Sequence, residues 1–253
     1  MKNKTFPEAA KGNAITTDKE NVREAGNNLP YLDRSSRNRL NEKDLHKFGG
    51  DTLFDAIARA VCHAGCLPRK ELYEAWEVAR RVRRRFRGRR IVDLACGHGL
   101  LARILLLLDD SSPTALAVDR LIPKSAATLA ESFNAAWPRV KNRIQFMETD
   151  ISDVVLHNND LVVSAHACGG LTDLILDKAV EVGAVVAVLP CCHNLKDGDL
   201  GGLEGWMDGP LAMDSARALR LRSQGYRVFT QSIPVDITPK NRLLMAEPIL
   251  IGR

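Results

Sequence analysis

The chain has 253 residues, 45% of them hydrophobic and 26% charged, and a formal net charge of +5. That length is enough to bury a sizeable core, and the composition excludes disorder of the whole chain. Ile104 to Leu108, the longest apolar stretch of note, is far short of the ~18–20 residues of a membrane span, so no membrane partner is expected.

Six cysteines do not make a disulfide framework at this length. The first 30 residues are polar and lack the apolar core of a signal peptide. A cytoplasmic protein with reduced thiols is expected. Nothing in the sequence indicates an oligomeric state.

Residues 1–48, rich in Asn, Lys, Arg, Asp and Glu with no sustained apolar period, read as a polar arm. Residues 49–88 read as a helical segment. Leu53, Phe54, Ile57, Ala58, Val61 and Ala64 recur at helical steps and predict one helix, stopped by Gly65. After Pro68, Leu72, Ala75, Trp76, Ala79, Val82 and Phe86 share one face of a second helix, which Gly88 ends. Positions 80–90 hold eight arginines, and removing eight charges from +5 leaves −3, so the basicity is a local band. Arg80, Arg81, Arg84, Arg85 and Arg87 are expected to point away from the core. Contact with nucleic-acid phosphates is the leading reading, with an acidic protein partner or a solvated helix face as rivals.

From Arg90 the chain alternates between strands and helices. Strands are predicted at Ile91–Ala95, Ala115–Asp119, Arg143–Glu148, Asp160–Ser164 and Ala184–Leu189, then at Tyr226–Pro234 and Arg242–Ile251. Helices are predicted at Leu100–Leu108, Pro123–Trp137, Leu171–Val182 and Pro210–Gln224. Nearly continuous apolar strands mean a mostly parallel sheet with helices on both faces. The last two strands are joined too tightly for a crossover, so the final one must run antiparallel. The fold class is α/β: a Rossmann-like, doubly wound sheet with an antiparallel last strand over 89–253, preceded by the small helical segment.

The loop after strand one reads Asp93-Leu-Ala-Cys-Gly-His-Gly. Gly97 lets the backbone turn, and Gly99 lets a ligand approach the helix amino end. A carboxylate at Asp93 suits a cationic or amine-bearing ligand. Asp119, at the end of strand two, is placed to accept both hydroxyls of a ribose. Asp150, after strand three, is placed to meet an adenine amino group. For each acid the competing reading is a helix N-cap.

These motifs resemble those of the class I S-adenosylmethionine-dependent methyltransferases over residues 88–253. The resemblance implies S-adenosylmethionine as cofactor, cradled by Asp93, Ala95, Gly97 and Gly99, with Asp119 on its ribose and Asp150 and Ile151 at its adenine. His166-Ala-Cys-Gly and Pro190-Cys-Cys-His, with Thr238-Pro-Lys-Asn-Arg, are similar to a narrower branch. That branch is the methyltransferase domain also found in the glutathione S-transferase C-terminal-domain-containing protein. Many of its relatives modify RNA, so a transfer or ribosomal RNA acceptor is expected. The alternatives are a small-molecule or protein acceptor, or a non-catalytic RNA-binding protein with this fold.

Strands four and five are expected to be neighbours, which gathers His166, Cys168, Cys191, Cys192 and His193 in one region. Three readings stay open there. The residues pack under the cofactor; or they act in catalysis, with His166 or His193 as general base and Cys191 as a nucleophile; or they bind zinc. Adjacent Cys191 and Cys192 do not both chelate easily and no C-x-x-C pair exists, so no metal is assigned. Five glycines in 198–209 with Trp206 and Met207 at the tip read as a lid that stacks on an acceptor base, or as a plain loop. Cys192, Asn194, Trp206, Asn241, Arg242, Arg84 and Arg85 complete the expected substrate contacts.

Overall fold

The apolar runs of the sequence become the strands of one seven-stranded sheet. The computed structural model describes residues 32–249. The strands are β1 (Arg90–Leu94), β2 (Ala115–Asp119), β3 (Ile144–Glu148), β4 (Asp160–Ser164), β5 (Val185–Val188), β6 (Tyr226–Ser232) and β7 (Arg242–Pro248), in the spatial order β3-β2-β1-β4-β5-β7-β6. The first five pair in parallel. β7 inserts between β5 and β6, antiparallel to both, as the short connection before it requires.

The helices are α1 (Leu53–Ala64), α2 (Arg69–Arg85), α3 (Leu100–Leu108), α4 (Ala126–Ala136), α5 (Gly170–Val182) and α6 (Gly209–Ser223). Strand residues alternate between two cores because side chains along a strand point to opposite faces. Ile91, Ala115, Leu161 and Val185 face the core shared with α1 to α4. Val92, Leu116, Val162 and Val186 face the core shared with α5 and α6. The helical segment is therefore not a separate body: Val61, Leu72, Val78 and Val82 lie in the same core as the first sheet face.

The polar arm ends earlier than its composition suggests. Residues 32–48 belong to the folded unit, anchored by buried Leu40 and Phe48. The Leu40 N–H donates to the Leu67 carbonyl at 2.9 Å. A short 3-10 helix, Glu42–Phe48, packs on α1 under a capping box in which Asn41 caps it and Asp44 bonds back. Two apolar anchors among charged neighbours leave no period to detect. The rest of the predicted arm, 1–31, lies outside the described residues, as do positions 250–251 of the last predicted strand. Among the described residues no helix is long and apolar enough to cross a membrane.

Candidate functional site

The chain leaves β1 toward β2 and β3 on one side and takes up β4 and β5 on the other, so strand order reverses between β1 and β4. In open α/β sheets ligands bind outside the carboxyl ends of the strands at such a point. A cleft of about 440 Å³ lies there, within the usual size range of small-molecule sites. Asp93, Ala95, Gly97 and Asp119 line one side and Ala165 and His166 the other.

The β1–α3 loop carries three left-handed residues in five: Ala95 (φ 57°), Gly97 (φ 51°) and Gly99 (φ 69°). A positive φ at Ala95, which has a Cβ, is backbone strain of the kind held at functional sites. The Gly97 N–H donates to Asp119 Oδ2 at 2.9 Å, tying the first loop to the end of β2. Gly99 does not line the cleft. A Cβ there would stand 2.8 Å from Phe146 Cζ, so its smallness serves helix–sheet packing rather than close approach of a ligand.

The cleft is acidic. Glu71, Asp93 and Asp119 line it, and among the described residues no lysine or arginine does. Asp93 is buried and accepts the Ala102 N–H at 3.2 Å. Burial, together with the nearby Asp119 charge, pushes its carboxyl up to about 7. Its folded pKa lies above the unfolded value, so the stability it contributes is fully present below about pH 4 and lost as pH rises through about 7. A cationic ligand favours the ionised carboxylate, so binding expels the proton. Affinity for such a ligand should therefore rise with pH until about 7 and then level off, and Asp93→Asn should flatten the curve; calorimetry at several pH values checks this.

Glu71 was not singled out by sequence reasoning. It lies on α2, upstream of the sheet, and reaches the cleft because α2 packs along α3. Burial raises its carboxyl. The sequence signal that could have found it is weak: one acid near the start of an amphipathic helix, indistinguishable from a first-turn acid that favours the helix dipole.

Several expected site residues have other partners. Asp150 caps a short 3-10 helix: Oδ1 accepts from the Ser152 N–H and hydroxyl, and Oδ2 from Arg120. These bonds lower its carboxyl to about 2. Neither Asp150 nor buried Ile151 is among the residues lining the cleft. The N-cap reading holds for Asp150 alone of the three acids.

His193 is not among the residues lining the cleft. Its side chain is 1% exposed, and its Nε2 meets Asp214 Oδ1 at 2.8 Å. Arg242 Nε donates to Asp214 Oδ2 at 2.7 Å and Arg217 to Oδ1 at 3.1 Å. One carboxylate thus locks the β5 loop, α6 and the start of β7 together. Asn241 donates to the Ile233 carbonyl and Asn194 to Asp197, both closing local turns.

His166 alone of the three expected catalytic residues lines the cleft. Cys191 meets Cys168 with 2.8 Å between the sulfurs, not an imidazole. Burial and the neighbouring thiols raise it, so it is a poor nucleophile near neutral pH. The loop before α6 lies against that helix, with Gly201 packed on Ala216 and Met207 sulfur near Ser215, rather than over the cleft. Trp206 stands free at 87% exposure.

Most of the arginine band is engaged within the fold. Arg90 makes two bonds to buried Asp160, at 2.7 and 2.6 Å. Arg80 and Arg81 both reach Glu77, Arg83 donates to the Leu108 carbonyl, and Arg89 to the Asn158 carbonyl. Arg80 and Arg81 are only half-buried, lying over Glu77 and, for Arg80, Trp76 of the same helix. Arg84, Arg85 and Arg87 are exposed. Arg85 stacks over the Phe229 ring at 3.5 Å, and Arg87 Nε donates to the Arg83 carbonyl at 3.2 Å while its side chain stays exposed, as does that of Arg84.

A family model described as a methyltransferase domain matches residues 70–197. No curated protein matches the chain. Among solved structures, an O-methyltransferase family protein from Burkholderia thailandensis is similar over 81% of this chain and 62% of its own, with 17% identity and a TM-score of 0.48. The pyocyanin biosynthetic protein PhzM is similar over 82% and 61%, with 15% identity and a TM-score of 0.47. The m1A22 tRNA methyltransferase TrmK of B. subtilis is similar over 68% and 65%, with 14% identity and a TM-score of 0.44. The chain spans about three fifths of the length of the first two.

Proposed function

The chain belongs to the family of methyltransferase domains, whose members of this fold use S-adenosylmethionine, and from that premise we propose that it is an S-adenosylmethionine-dependent methyltransferase acting on RNA. The cleft suits the cofactor by charge: among the described residues three acids, two histidines and no lysine or arginine line it, which favours a ligand bearing a sulfonium and an ammonium. The cofactor supplies an electrophilic methyl group.

The chain's own residues do the rest. Asp119 engages the Gly97 N–H with one oxygen, which leaves the other for ribose hydroxyls. Asp93 and Glu71 provide negative potential around the cationic centre. His166, across the cleft, takes the acceptor's proton if one must leave. Holding the acceptor in line with the methyl group supplies much of the acceleration.

The observation that carries the RNA acceptor is Trp206. A large aromatic 87% exposed at the carboxyl edge of the sheet offers a face on which an unpaired base stacks. Arg84 and Arg87 add phosphate contacts. In binding to bulk transfer and ribosomal RNA, Trp206→Ala should cost ~1–3 kcal/mol, about 5- to 150-fold. Replacing Arg84 and Arg87 together with Gln should reduce the slope of log affinity against log salt by about 1.4–1.8. Unchanged affinity and slope in folded variants would move the acceptor to a small molecule or a protein and leave the cofactor reading standing.

A further inference from the structure

The β4 and β5 ends bring together a chemistry that methyl transfer does not use. These strands pair in parallel, with Ser164 opposite Val188, so the chain leaves both at the same edge of the sheet. The two loops are stitched by the Gly169 N–H, which donates to the Cys192 carbonyl at 3.1 Å. Cys168 comes from the first loop and Cys191 and Cys192 from the second. Their three sulfurs lie within 4.8 Å of one another. Among the described residues this is the one group of three or more Cys, His, Asp and Glu side chains whose ligand atoms converge in this way.

We propose that Cys168, Cys191 and Cys192 form a three-thiolate zinc site with its fourth position open to solvent. A tetrahedral zinc with ~2.3 Å bonds to sulfur separates its ligands by about 3.8 Å; the three sulfurs lie within 4.8 Å of one another, and the Cys168–Cys191 pair, 2.8 Å apart, must open by about 1 Å to admit the metal. In the sequence the Cys191-Cys192 adjacency argued against chelation, but the fold brings both sulfurs within 4.8 Å of each other and of Cys168. Cys168, from the loop after the neighbouring strand, supplies the third corner.

The ligand set is soft and selects zinc over magnesium or calcium, which prefer oxygen. Cys168 and Cys192 are exposed and Cys191 is half-buried, so the site opens outward. Three protein ligands and an accessible fourth position describe a site that binds water or an external donor rather than a closed structural knot. As the metal binds, three thiols give their protons to solvent and the sulfurs coordinate as thiolates; nothing is oxidised. A disulfide would pair only two of the three thiols and leave the other over. The inference stands apart from the identity of the acceptor.

Cobalt(II) is the probe, added to the full chain under reducing conditions and then displaced with zinc. One equivalent should produce thiolate-to-cobalt charge-transfer absorption in the near ultraviolet, with a visible band of tetrahedral intensity, and zinc should bleach both. Cys168→Ser and Cys191→Ser should each weaken cobalt binding at least tenfold, while thermal melts show them folded. Cys192→Ser, at an exposed position, provides a variant least prone to misfolding and should do the same. Absence of charge-transfer bands in the wild-type protein overturns the site. So do bands that persist in the triple serine variant, which would place the metal on other cysteines, and a Cys168–Cys191 disulfide in protein kept under reductant.

Discussion

Replacing Asp119 with alanine should weaken S-adenosylmethionine binding by about ten- to a hundredfold. Hydrogen bonds to a charged acceptor contribute on the order of 1.5–3 kcal/mol, which converts to that range. Two losses act together. The ribose loses its acceptor, and the Gly97 N–H loses the 2.9 Å bond that draws the β1–α3 loop against the end of β2. Asp119→Asn keeps a carbonyl oxygen for Gly97 and should fall between wild type and alanine. Calorimetry reads both variants. An affinity for Asp119→Ala within twofold of wild type would remove this residue from the cofactor site.

Gly99→Ala should be the most destabilising single methyl in the loop. The residue sits at φ 69°, which costs an L side chain ~1–2 kcal/mol. Its Cβ would also stand 2.8 Å from Phe146 Cζ, 3.0 Å from Cε1 and 3.5 Å from Ala117 Cβ. Overpacking of this kind costs typically ~1–3 kcal/mol. Together the two amount to about 2–5 kcal/mol, and at roughly 2–4 °C per kcal/mol for a domain of this size the melting temperature should fall by about 4–20 °C. Phe146→Leu in the same chain should restore part of the loss by relieving the clash while leaving the backbone strain. A Gly99→Ala protein that melts with wild type would show that the loop reshapes freely.

What was legible in the sequence is what local pattern determines. Strand and helix spans followed from periodicity, and α1 ends where Gly65 enters the left-handed region with its N–H on the Val61 carbonyl. Asp93, Gly97 and Asp119 reach the cleft because each sits at or just beyond the end of a parallel strand, where the topology alone places it. The antiparallel β7 followed from a connection too short to cross over.

What was not legible depends on pairings between distant elements. Nothing near Glu71 in the chain indicates that α2 will bring it opposite His166. Asp214, on α6, joins His193 on one loop to Arg242 at the start of β7, and no spacing announces it. The arginine band looked free because helical periodicity tells which residues are buried but not which exposed ones find a carboxylate, a carbonyl or a ring. Arg90 shows this most plainly: its partner Asp160 lies on the adjacent strand, 70 residues away. Asp150 illustrates the opposite limit, an acid whose local N-cap bonds its strand position did not announce.

Hydrogen exchange of the full chain with and without saturating S-adenosylmethionine tests the placement of the cofactor most directly. Slowed exchange is expected in three separate segments that converge only in the fold: the β1–α3 loop at 95–99, the turn after β2 at 119–123, and the start of the loop after β4 at 165–167. Protection of these three together, lost in Asp119→Ala, is the expected result. Saturable binding with no change in these segments, or with protection confined to the groove between α6 and β6–β7, would contradict it.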